Sequence, residues 1–168
     1  GRATNSPTRT CSGSSPASSV TDTVPRLPRA TPWRVLAAVL SCGLLPWSVQ
    51  TFADGGVPFL RFAWGGLSFS PVLYARTLTE YLALSGSPLL VPWVVAAACW
   101  VLAVASASLA LVGREDPRVT AGLLVLAGAV NASVAVRFGL QPVRTGYPVG
   151  TLALWAVAAW RYRASPRE

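Results

Sequence analysis

The chain has 168 residues, 14 basic against 6 acidic, and a formal net charge of +8. It is 52% hydrophobic and only 12% charged, where a soluble domain carries about 25% charged residues. Long apolar blocks with so little charge are the composition of a membrane protein.

Every basic residue is Arg, and Ile, Met, His and Lys are absent. Without His, no Ser-His-Asp or Cys-His relay, His-based zinc site or haem ligation can form within the chain. Without Lys there is neither a Schiff base nor a P-loop lysine. The chain is therefore expected not to be an enzyme and to use no cofactor or metal. The spacing of Cys11, Cys42 and Cys99 suggests no disulfide or metal site.

Residues 1–31 are rich in Ser, Thr, Pro and Arg and read as a disordered tail. The absence of Met, with the composition step near Thr31, leaves open that this tail is not native sequence. Its dispersed arginines lack aromatic neighbours, so no nucleic-acid partner is expected. Residues 32–163 read as a transmembrane domain, and 164–168 as a polar C-terminal tail.

Four apolar stretches follow one another, at about 33–53, 89–112, 119–136 and 145–162. Each is taken as a membrane-spanning helix, because about 20 residues cross a bilayer core. The first is interrupted only by Arg34, Pro46 and Gln50. The second has no charge. Between the first two lies Asp54–Ser87, read as a membrane-hugging loop plus an interfacial amphipathic helix over Pro71–Leu84, with Arg76 and Glu80 paired on its wet side. A re-entrant hairpin is the alternative for this segment. Gly113–Arg118 forms a tight polar turn, with Asp116 as N-cap and Pro117 in the first turn of the next helix. The expected fold is thus all-α: an integral membrane helical bundle of about four transmembrane helices plus one interfacial helix. Small residues, including Gly122 and Gly128, would let its helices approach closely.

With both termini in the cytoplasm, the inner side holds Arg34, Arg114, Arg118, Arg161, Arg163, Arg167 and the tail arginines Arg2, Arg9, Arg26 and Arg29. The outer side holds Arg61, Arg76, Arg137 and Arg144. The positive-inside rule favours this orientation in a multi-pass cell-membrane protein.

Arg137, Arg144 and Tyr147 form a basic, aromatic outer rim that Arg61 and Arg76 can join. Such a rim suits a lipid headgroup or a partner's carboxylate, while plain interfacial anchoring is the more ordinary role for such residues. Asn131 and Gln50 are intramembrane polar residues. The first reads as interhelical glue or a polar site, and the second as a helix end with Asp54 four residues on.

Three segments carry a family resemblance. They are Leu44-Leu45-Pro46-Trp47, the run Gly113–Gly128, and Tyr147-Pro148-Val149-Gly150-Thr151 leading to Trp155 and Trp160-Arg161-Tyr162. Together they resemble a family of small haloarchaeal membrane proteins encoded near archaeosortase A. The resemblance implies His where this chain has Asn131. It also implies a place beside the sorting of surface proteins, with membrane lipids and another membrane protein of that machinery as partners. The expected function is a non-enzymatic accessory membrane protein. A small transporter or lipid-binding membrane protein is the alternative.

Overall fold

The first apolar run breaks at Pro46. A residue preceding proline is held out of the helical region, and Leu45 turns extended, with φ −75° and ψ 145°. In the computed structural model, which describes Gly1 and residues 31–69, 72–85 and 88–164, helix α1 therefore covers only Pro32–Leu44. The residues beyond it, Ser48–Phe52, form strand β1. Val, Thr and Phe suit a half-buried pleated surface, and the burial alternates, with Ser48 and Gln50 turned inward.

The segment read as loop and interfacial helix is mostly sheet. Strands β2 (Phe59–Arg61), β3 (Gly65–Ser68) and β4 (Tyr74–Thr77) form a meander with β1. Helix α2 (Leu78–Ser85) follows. Arg76 lies in β4 and does not pair with Glu80. Instead Thr77 and Glu80 form a capping box: the Thr77 N–H donates to Glu80 Oε2 at 2.8 Å, and the Glu80 N–H to Thr77 Oγ1 at 3.3 Å.

Helix α3 (Val91–Ser108) continues through a 3₁₀ turn to Val112. Helix α4 (Pro117–Gly139) returns antiparallel. The link between them is the polar turn expected from the sequence: Gly113 takes φ +70°, and Asp116 Oδ1 accepts from the Arg118 N–H at 2.8 Å. After α4, β5 (Arg144–Tyr147) pairs with the free side of β1, giving an antiparallel sheet of order β4-β3-β2-β1-β5. Pro148 ends the strand, and α5 (Val149–Arg163) leads away from the sheet.

The all-α expectation is overturned. Helices α1, α3, α4 and α5 do pack as a bundle, but a five-stranded sheet occupies one end of it. The 22 residues of Val91–Val112 and the 23 of α4 rise about 33–35 Å, enough for a hydrocarbon core of about 30 Å. The 13 residues of α1 and 15 of α5 rise about 20–22 Å, too little. Among the described residues two helices, not four, have the length and apolarity to span.

Small side chains dominate the bundle core: Ala96, Cys99, Ala103, Ala107, Ala121, Ala127 and Ala158, with Val35, Val39, Leu124 and Leu154. Tryptophans settle on glycines. Trp100 covers Gly43 and donates to the Val39 carbonyl at 2.9 Å, while Trp155 covers Gly128. Gly122, expected to serve the same end, faces open space. The expected tails at 1–31 and 164–168 lie outside the described residues, apart from Gly1, Thr31 and Ala164.

Candidate functional site: an arginine buried where sheet meets bundle

The closing residue of β2 is Arg61, and it is only 2% exposed. The antiparallel register sets Arg61 opposite Ser48, and directly opposed residues point to the same face of a sheet. That face looks onto the bundle. The guanidinium reaches α4, where Nη2 donates to Asn131 Oδ1 at 3.0 Å. The Trp93 ring lies 5.4 Å from the guanidinium carbon and the Phe138 ring 5.9 Å. Such aromatic faces attract a cation by about 0.5–2 kcal/mol each.

Asn131 uses its whole side-chain amide. Its oxygen takes Arg61. Its two N–H bonds go to the Trp47 carbonyl at 2.9 Å and to Thr151 Oγ1 at 3.1 Å. Thr151 in turn donates to the Gly128 carbonyl at 3.2 Å. One amide thereby joins β2, the α1–β1 junction and the first turn of α5. Asn131 is the interhelical glue the sequence suggests, and it is also the partner of a charge.

That charge has no carboxylate among the described residues. Asp54 serves the Gly56 N–H, Glu80 the Thr77 N–H, Asp116 the Arg118 N–H, and Glu115 the Arg161 side chain. Burial pushes the Arg61 pKa down to about 10, so the group stays protonated at neutral pH. Arg61 Nε and Ser48 Oγ are both buried and without hydrogen-bond partners. Gln50, two residues along β1 on the same face, is 7% exposed.

The rim expected from the sequence divides into three. Arg61 is interior. Arg144 and Tyr147 are exposed on edge strand β5, with Arg137 exposed near the end of α4. Arg144 lies over the Phe52 ring at 5.5 Å and donates to Gln141 Oε1 at 3.2 Å. Arg76 stands on the opposite edge strand over Tyr74, at 5.3 Å. Four strand spacings separate the two edges, about 19 Å. Gln50 belongs to a strand, so it shares no helix face with Asp54, which sits in the turn after β1.

Sequence reasoning missed the Arg61–Asn131 contact, which joins residues 70 positions apart. The available signal was an arginine set among Phe59, Phe62 and Trp64, surroundings in which a charge is costly unless something holds it.

Chemically the junction is one positive charge held by the oxygen of a neutral amide. Arg61, Asn131 and Thr151 hold and orient one another, and none of them exchanges a proton near neutral pH. Among the described residues no three His, Cys, Asp or Glu side chains gather as a metal set.

The class defined by fold and site is an α+β protein: a helical bundle closed at one end by an antiparallel sheet, with an arginine–asparagine contact at the junction. The chain matches the model of a Domain of unknown function (DUF8050) over residues 13–168, and it belongs to that family. No curated protein matches the chain.

Proposed function

We propose that the protein is a non-catalytic accessory protein of the cell membrane, with its two long helices in the bilayer and its sheet at the outer surface. The observation that carries this reading is the outer face of Val91–Val112. Only 28% of its most apolar window is buried inside the chain, and Val91, Val95, Val101, Leu102, Leu109 and Leu111 face outward. A soluble protein's core helix would bury such a surface; a bilayer accepts it without cost. Open sheet edges do not occur within lipid hydrocarbon. The edge strands bear Arg76 and Arg144, which supports a wet position for the sheet. The polar turn at 113–118, which joins the two long helices, then lies on the cytoplasmic side.

Alkaline extraction of membranes from expressing cells tests the location: the protein stays in the pellet, and release into the supernatant removes the reading. Labelling of a cysteine placed in the 113–118 turn by a membrane-impermeant reagent tests the orientation: labelling only in opened cells is expected.

The proposed role is to assist another membrane protein in the processing of C-terminally anchored surface proteins. Its support is the family resemblance carried by Leu44–Trp47, Gly113–Gly128 and Tyr147–Thr151. Deleting the gene should alter the mass of a sorted surface protein, and unchanged processing sinks this role. The exposed group Arg137, Arg144 and Tyr147 is the proposed contact. An Arg137→Ala/Arg144→Ala double variant should lose the partner on co-purification. The same basic, aromatic edge favours lipid-headgroup binding as the second reading, which gains if an anionic lipid survives purification and the double variant releases it.

A further inference from the structure

Two buried polar atoms without partners lie on directly opposed residues. Ser48 is 0% exposed and Arg61 2%; both Ser48 Oγ and Arg61 Nε are unpartnered; and the two residues face each other across β1 and β2. Residues so opposed stand about 4.5–5.5 Å apart at Cα and Cβ. Chance packing rarely leaves two such groups together, because each buried donor without a partner carries a desolvation penalty.

The character of the groups defines what satisfies them. Arg61 Nε is a donor only, and a serine hydroxyl can donate. The guanidinium carries a full charge that no described carboxylate meets. Asn131 supplies a neutral oxygen to Nη2, and the Trp93 and Phe138 rings spread the charge without accepting the Nε proton. A cation is repelled here. A water molecule would accept the hydrogen bonds but leave the charge uncompensated. The near-complete burial of both residues excludes a lipid headgroup or a peptide carboxylate, whose bulk needs an open mouth. An ion without substituents remains.

We infer that Arg61 Nε and Ser48 Oγ are the protein's two donors to an internal site for a small monatomic anion of the chloride class. Asn131 holds the guanidinium in the orientation that leaves Nε turned to the ion. The anion supplies at the sheet end the negative charge that no described residue supplies. It is then a structural component that ties β1 and β2 to α4, and it is independent of the membrane reading.

The test is the unfolding temperature of the full-length protein in detergent. Sodium chloride is titrated against sodium gluconate at constant ionic strength. A ligand that binds only the folded state stabilises in proportion to the logarithm of its occupancy. Chloride should raise the unfolding temperature with a definite half-point, and gluconate should not. Ser48→Ala removes one donor to a charged acceptor and should move that half-point up by about tenfold or more. Arg61→Gln should abolish the chloride response. If Arg61→Gln does not fold, Ser48→Ala carries the test alone. Equal curves in chloride and gluconate overturn the proposal, as does an unchanged half-point in Ser48→Ala.

Discussion

Each end of the bundle fastens its helices through an arginine withdrawn from solvent, buried at the sheet end and half-buried at the turn end, and the two are compensated in opposite ways. At the turn end, Arg161 of α5 forks onto Glu115, with Nε donating to Oε1 at 2.9 Å and Nη2 to Oε2. The two side chains are 12% and 3% exposed. Thr120 also donates to Glu115 Oε1 at 3.0 Å, and its hydroxyl meets Ser106 at 2.8 Å. At the sheet end, Arg61 is more deeply buried, 2% exposed, and its partner is the neutral amide of Asn131. A charge facing its opposite in a two-pronged bond is strongly held. A charge facing an amide is tethered but not neutralised. The turn end is therefore a closed electrostatic unit, and the sheet end depends on something further.

The largest test of this contrast is at the turn end. Arg161→Leu leaves the Glu115 charge with only the Thr120 hydroxyl, which should cost up to about 3 kcal/mol, toward the lower end for a broken buried pair. Denaturant titration in detergent should show that loss, and most of it should return in the Glu115→Leu/Arg161→Leu double variant. Arg61→Leu has a smaller expected cost, about 1–3 kcal/mol, because the side-chain partner it strands, the Asn131 oxygen, is neutral and the anion can leave with the charge. A larger loss for Arg61→Leu than for Arg161→Leu would reverse the comparison.

The caps refine it further. Asp116→Ala removes the cap of α4 beside the turn, and Thr77→Ala breaks the capping box beside the sheet. Each should lower stability by about 1 kcal/mol, independently of the two arginines. The smallest effect is expected at the exposed edge, where Arg144→Ala should change stability by no more than about 0.5 kcal/mol. A loss at Arg144 comparable to that at Arg61 would mean that rim and interior form one site.

The resemblance implied His at the position of Asn131, and the structure gives this difference a local meaning. Asn131 spends one acceptor and two donors at once. A neutral imidazole offers one acceptor and one donor. Asn131→His in this chain should therefore leave either the Trp47 carbonyl or Thr151 without its present donor, and lower the unfolding temperature.

What the sequence determined by itself is what depends on near neighbours. The apolar runs located four bundle helices. The Asp116-Pro117 pair locates the start of α4, and Thr77-x-x-Glu80 holds the start of α2. Where strand followed helix inside one apolar run, the sequence misled. A short buried strand and a buried helical segment have the same composition, and periodicity does not separate them over five residues. Pro46 and Pro148 are the punctuation that matters, since each stands where helix and strand meet.

Tertiary structure alone decided the sheet order, in which β5 joins β1 from far along the chain, because strand pairing is a contact between distant residues. It also decided the burial of Arg61. Its neighbours Phe59, Phe62 and Trp64 hint at apolar surroundings, but they do not show what closes over it. Its surroundings come from α3 and α4, and the cost of hiding its charge becomes visible only once those helices have closed around it.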